Sequence, residues 1–138
     1  MIQSHRGLAA LALAASLAPA LVGVSLAGPA TASGGGDDRV VKTGGCSDSA
    51  HWKLKVKTDD NRLEVEGEVD SNRSGQTWKW RIKDNGSLVT KGSATTGGAS
   101  GSFSIERKIA NQAGTDHVVF RAKYPATGEV CVGTVDFG

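Results

Sequence analysis

Residues 51–70 read HWKLKVKTDDNRLEVEGEVD, and their pattern indicates the class of fold. Apolar and charged side chains alternate on both sides of Asp60-Asn61, with lysines in the first half and glutamates in the second. Strict two-residue alternation is typical of a half-buried β-strand, because successive side chains point to opposite faces. Asp and Asn also tolerate the left-handed backbone of a two-residue hairpin turn. The sequence therefore predicts two antiparallel strands joined at Asp60-Asn61.

A single register of this hairpin satisfies both its charged and its apolar side chains. It opposes four pairs of opposite charge, namely Asp59 and Arg62, Lys57 and Glu64, Lys55 and Glu66, and Lys53 and Glu68. The same register sets Val56 against Val65 and Trp52 against Val69 on the other face. Turn chemistry, charge complementarity and apolar pairing thus agree, and we predict this alignment.

Five further segments continue the alternating pattern without any helical periodicity between them. They are residues 77–83, 88–96, 103–109, 117–124 and 130–137. Asn85-Gly86 predicts a second tight hairpin, in which a two-residue loop would oppose Ile82 to Val89 and a three-residue loop would oppose it to Leu88. Seven short strands in about ninety residues predict an all-β, two-sheet antiparallel sandwich.

The N-terminal segment predicts a secretion signal over residues 1–32. Arg6 precedes a long uncharged run, and Ala30-Thr31-Ala32 supplies the small residues that a signal peptidase recognises. We expect cleavage after Ala32, with an uncleaved anchor as the alternative because the run is long enough to cross a bilayer. Gly-rich residues 33–45 then predict a flexible tether, and residues 46–138 predict one domain that is secreted and extracellular.

The chain has two cysteines, Cys46 and Cys131, both in the predicted exported part. In an oxidising compartment an even pair in a small domain most often forms a disulfide, and two free buried thiols are the alternative. Cys46 precedes the first predicted strand and Cys131 opens the last. The predicted disulfide would therefore tie the two ends of the domain together.

From Cys46 to Gly138, the strand spacing and a tryptophan on the third strand resemble immunoglobulin-like and fibronectin type III domains. The resemblance implies a seven-stranded immunoglobulin-like sandwich in which the third and sixth strands are neighbours. The cysteines depart from the immunoglobulin pattern, since they lie at the first and last strands. The leader, tether and sandwich together also resemble small secreted proteins of actinobacterial type. This resemblance implies a type of fold and an extracellular location but no activity.

If those two strands are neighbours, one outer face of the sandwich concentrates positive charge. Its candidate binding residues are Lys79, Arg81, Lys83, Arg121 and Lys123, beside His117. Overall the chain has 16 Lys and Arg against 14 Asp and Glu, so bulk charge gives no reason to expect nucleic acid. We interpret the face either as a solvated surface or as a contact for an anionic cell-envelope polymer or polysaccharide.

The residue types needed for catalysis or metal binding do not converge in the sequence. His51 and His117 have no second histidine or free cysteine at ligand spacing, and Asp116 would point to the opposite face from His117. The segment 70–75 resembles half of a calcium loop, but Arg81 stands where the bidentate glutamate is required. We therefore predict a protein that is not an enzyme and needs no cofactor or metal.

The resulting hypothesis is a monomeric, non-catalytic binding or surface-interaction module. The alternative is a secreted inhibitor or small-ligand carrier that uses the loops between strands. We also predict that the three tryptophans, Trp52, Trp78 and Trp80, pack in the core, with Trp78 nearest the rim of the sandwich.

Overall fold

The computed structural model describes residues 38–138, so the predicted signal peptide and residues 33–37 of the predicted tether lie outside the described residues. Residues 38–138 form eight antiparallel strands and no helix. The strands are β1 (Arg39–Gly45), β2 (His51–Asp59), β3 (Arg62–Asp70), β4 (Thr77–Asp84), β5 (Ser87–Thr95), β6 (Ser102–Ala110), β7 (Asp116–Tyr124) and β8 (Glu129–Phe137).

Two four-stranded sheets enclose the core. Their strand orders are β1-β2-β3-β6 and β5-β4-β7-β8. Leu54 and Val65 from the first sheet meet Trp80 and Phe120 from the second in one buried cluster. The predicted all-β, two-sheet antiparallel sandwich is thus confirmed. Because these residues have one core of their own and contain both cysteines, they constitute a domain that can fold by itself.

The predicted count of seven strands is wrong, because part of the predicted tether forms β1. This strand pairs with the edge of β2, where Val40 lies opposite Val56. Val40 also packs against the core, while Val41 on the other face is exposed. The free backbone groups at the edge of β2 and the burial of Val40 offset the entropy lost when a Gly-rich segment becomes ordered.

The β2–β3 hairpin has the predicted register at every pair. Its turn residues Asp60 and Asn61 adopt the expected left-handed conformation, with φ of 48° and 63°. Lys57 and Glu64, for example, lie opposite each other as the charge pattern requires. Local turn chemistry and the two-residue period were sufficient to determine this part of the fold.

The β4–β5 hairpin follows neither of the two registers considered from the sequence. Asn85-Gly86 forms a two-residue turn, and a bulge at Val89 then sets Ile82 opposite Thr90. Without the bulge, Lys91 would oppose the buried Trp80 and point into the core. The extra residue shifts the side-chain phase by one position, so that Lys91 is exposed.

The predicted disulfide between Cys46 and Cys131 is confirmed. It joins the segment after β1 to β8, and so connects the edges of the two sheets. Nearby, the Ser47 N–H donates to the Val130 carbonyl oxygen at 2.8 Å, and the Val130 N–H donates to Ser47 Oγ at 2.9 Å. The covalent bond and these hydrogen bonds close one side of the sandwich.

The tryptophan predicted to lie at the rim is not the one found there. Trp78 is fully buried and stacks on Tyr124 with ring centroids 5.4 Å apart. Trp52 is instead half-buried, with its indole against Gly44 of β1 and Gly133 of β8. A Cβ atom at either glycine would lie within 2.7 Å of the indole, so both positions leave room for Trp52.

Candidate functional site

The outer face of the β5-β4-β7-β8 sheet carries a group of cations that we call the basic face. Its members are Lys79, Arg81 and Lys83 of β4, Lys91 of β5, and Arg121 and Lys123 of β7. The structure places the five candidates named from the sequence on neighbouring strands, since β4 pairs directly with β7. Lys91 was missed because its orientation depends on the bulge at Val89.

Five of the six cations of the basic face lie directly opposite another cation across the strands, the exception being Lys83. Arg81 pairs in register with Arg121 on one side and with Lys91 on the other, and Lys79 pairs with Lys123. Paired strands are about 4.8 Å apart, and side chains on one face repeat every ~6.7 Å along a strand. Three cations therefore form a row across the sheet, with two more in the adjacent row.

Within residues 38–138, none of the six side chains of the basic face forms an ion pair. The nearest acid on this outer face is Asp136, beyond the cationic rows at the end of β8. Its Oδ1 atom lies 2.5 Å from Nδ1 of His117, so it is already paired. The positive charge of the basic face is therefore uncompensated by protein groups of the described domain.

The outer face of the other sheet differs in that two of its lysines form ion pairs across β2 and β3, although Glu66 also lies opposite Glu106 of β6. Lys55 Nζ lies 2.8 Å from Glu66 Oε2, and Lys57 Nζ lies 3.5 Å from Glu64 Oε1. Opposed unlike charges stabilise an antiparallel pair, whereas opposed like charges destabilise it by amounts of about 0.2–1 kcal/mol. A sheet face that only contacts water does not need opposed cations, because threonine or serine would also keep it polar. The opposed cations of the basic face therefore do not stabilise the fold.

The surface of the basic face is a shallow, open depression of about 500 Å³. Its walls are the cationic side chains, and part of its floor is Gly92, beneath which lies the indole of Trp80. On its other side this indole is covered by Arg107, whose Cζ atom lies 4.9 Å from the ring centroid. A shallow and positively charged surface suits a flat or extended anionic partner better than an enclosed small molecule.

A second group of titratable side chains lies in the core, where two aspartates from different strands meet. Asp84 at the end of β4 and Asp116 at the start of β7 are 2% and 0% exposed. Burial, and then the neighbouring Asp116 carboxyl, raise the pKa of Asp84 to about 6. The raised pKa favours the neutral form of Asp84, because burial and the adjacent carboxyl both make its ionised form costly.

The hydrogen bonds of this pair are incomplete. Asp116 Oδ1 accepts a hydrogen bond from the Gln112 N–H at 3.2 Å, but Asp84 Oδ1 and Asp116 Oδ2 have no donor. Neither carboxyl reaches the surface, so a substrate has no access to them. The two-residue alternation of the sequence indicates that both aspartates are buried. Asp84 is in phase with the inward residues of β4, and Asp116 is in phase with those of β7.

The other motifs do not form a site in the described part of the chain. Asp116 is buried whereas His117 is exposed on the opposite face of β7, as predicted. The 70–75 segment is a turn, in which the Asn72 N–H donates to Asp70 Oδ1 at 2.9 Å. Residues 38–138 contain no cluster of three or more His, Cys, Asp or Glu side chains placed to hold a metal ion.

No helix among residues 38–138 could cross a membrane. Comparisons with protein-family models, with curated proteins and with solved structures gave no match to this chain.

Proposed function

We propose that this protein is a secreted, non-catalytic binding module that holds a polyanionic partner against the basic face. The observation that carries the proposal is the row formed by Lys91, Arg81 and Arg121, in which like charges oppose one another without an acid between them. An anionic group placed over this row would interact with two or three cations at once. Binding would then relieve a repulsion that the free domain contains.

The side-chain types indicate what the partner must present. Arg81 and Arg121 each offer a planar fork of N–H donors that fits phosphate, sulfate or carboxylate oxygens, while the lysines act as mobile point charges. The partner needs several such groups at spacings comparable to the rows of the sheet. An anionic cell-envelope polymer or polysaccharide meets this requirement, and so does any other surface with densely spaced anionic groups.

We also propose that the domain is immunoglobulin-like and that the protein is exported. Strands β2 to β8 have the orders β2-β3-β6 and β5-β4-β7-β8, which support an immunoglobulin-like sandwich with β1 added at one edge. The disulfide between Cys46 and Cys131 supports export, because disulfides persist mainly in oxidising compartments. The alternative function, an inhibitor or ligand carrier that uses the loops, stays a prediction.

The test is retention of the domain, residues 38–138, on a phosphocellulose column developed with rising salt. We expect the wild-type domain to bind at low salt and to elute as ionic strength screens the charges. Arg81→Glu/Arg121→Glu should abolish retention without unfolding the domain, since both side chains point outward.

The matched control is Lys42→Glu/Arg73→Glu, which makes the same change in net charge at two exposed cations outside the basic face. It should elute close to the wild-type domain. Equal losses in both double variants would mean that net charge alone governs retention, and unchanged retention of Arg81→Glu/Arg121→Glu would exclude the basic face.

A further inference from the structure

The exposed aliphatic side chains of the domain are concentrated around the basic face. In residues 38–138, four large apolar side chains are exposed by more than 40%, namely Val41, Leu88, Val89 and Val132. Three of them belong to the β5-β4-β7-β8 sheet, and only Val41 lies on the other sheet. Single exposed apolar residues need no explanation, but a group that borders a charged surface does.

The strand register shows how the two kinds of side chain are arranged. Leu88 of β5 lies opposite Lys83, and Val89 occupies the adjacent bulge. On the far side of the sheet, Val132 of β8 lies opposite Arg121. The cations thus occupy the central strands and extend to Lys91, while exposed aliphatic groups lie on both outer strands.

This arrangement distinguishes between the possible sources of anionic groups. A hydrated polymer presents charges but no apolar phase, so the aliphatic borders would stay in water. A bilayer surface presents anionic head groups and, a few ångströms deeper, an apolar region that can take up short aliphatic side chains. Lysine and arginine side chains can reach head groups while their methylene stems remain in the apolar boundary.

We propose that the outer face of this sheet docks on an anionic lipid bilayer, with head-group phosphates against the basic face and with Leu88, Val89 and Val132 entering the interfacial region. This inference rests on the proposed function and names the source of the anionic groups. This sheet would lie parallel to the membrane plane, and the outer face of the β1-β2-β3-β6 sheet would remain in water.

The test is co-sedimentation of the domain with vesicles of phosphatidylglycerol and phosphatidylcholine, compared with vesicles of phosphatidylcholine alone. We expect the wild-type domain to bind only the anionic vesicles. Val132→Ser and Leu88→Ser should each weaken vesicle binding by about five-fold, because each removes one aliphatic group from the interface. Neither substitution should change retention on phosphocellulose.

Val41→Ser is the matched control, since Val41 is exposed to nearly the same extent as Val132, 44% against 47%, but lies on the other sheet. It should bind vesicles like the wild-type domain. If Val132→Ser and Leu88→Ser also bind like Val41→Ser, or if the wild-type domain binds phosphocellulose but not anionic vesicles, the membrane inference is overturned and a hydrated polymer becomes the partner. If Arg81→Glu/Arg121→Glu retains both activities, the proposed function fails as well.

Discussion

Gly67 of β3 lies against the aromatic ring of Phe120 of β7, across the interface between the two sheets. A Cβ atom at Gly67 would lie 2.6 Å from that ring, and Phe120 is fully buried. Because Gly67 has no side chain, the ring of Phe120 can pack against β3 and so connect the two sheets. This contact lies in the interface between the two sheets. Because each strand buries one face in that interface, its other face points outward.

Gly67→Ala should destabilise the domain, because neither the buried ring nor the β3 backbone can move without loss of packing. Overpacking of this kind costs about 1–3 kcal/mol of unfolding free energy, measurable by urea denaturation. Gly45→Ala is the control, since nothing lies within 4 Å of a Cβ atom at Gly45. Equal stability of the two variants would contradict the close contact with Phe120.

Cys46→Ala/Cys131→Ala should lower the unfolding free energy substantially, because the disulfide closes a loop with a sequence separation of 85 residues. The chain-entropy relation gives a loss of about 4–5 kcal/mol for a loop of this length. Urea denaturation with and without a reductant measures it. A reductant should destabilise the wild-type domain to the level of the double variant, and should leave the double variant unchanged.

Asp84→Asn should change the pH dependence of stability. The pKa of Asp84 is about 6 in the folded state, against 3.8 for an unperturbed aspartate, so the folded state binds this proton more tightly. Protonated Asp84 therefore contributes most to the stability of the folded state at pH values below its unfolded-state pKa. This contribution is lost as the pH rises through its folded-state pKa. Asparagine does not ionise and can donate a hydrogen bond to Asp116.

We expect Asp84→Asn to be more stable than the wild-type domain at about pH 7, by ~1–3 kcal/mol, with the difference shrinking toward about pH 4. Urea denaturation over this range measures both profiles. The exposed Asp48 provides a control, and Asp48→Asn should follow the wild-type profile. A constant difference between Asp84→Asn and the wild-type domain at all pH values would argue against the raised pKa of Asp84.

Arg121→Thr should stabilise the domain while it weakens anion binding. The substitution removes the opposed charges of Arg81 and Arg121, and threonine suits a strand, so we expect a gain of about 0.2–1 kcal/mol. Lys55→Thr on the other sheet should not give this gain, because it removes a partner of Glu66. Thermal unfolding of the two variants at low salt tests the contrast, and a loss of stability in Arg121→Thr would show that the charges are not in conflict.

The β2–β3 hairpin shows which structural features can be predicted from local sequence patterns. Its turn, opposed charges and apolar pairs lie within twenty neighbouring residues and predict one register, although Asp59 forms its ion pair with Lys108 of β6. The same two-residue period identified the core positions and the outward cations of β4 and β7. The disulfide followed from the number and placement of the cysteines.

Features that depend on another strand could not be predicted in this way. The segment containing Val40 becomes a strand because the edge of β2 is available to pair with it, and Lys91 joins the basic face because a bulge corrects the phase of β5. Trp52 lies at the rim because glycines in two other strands make room for its indole. In each case the deciding partner is distant in the sequence.

The apolar side of each main strand follows from local sequence alone, because alternation is a local property of the chain. The tertiary structure decided which strands are neighbours, and hence that Arg81 meets Arg121 and that Asp84 meets Asp116. Pairing between strands far apart in the sequence depends on how whole sheets bury their apolar faces together. Both the candidate binding surface and the buried acid pair arise at that level.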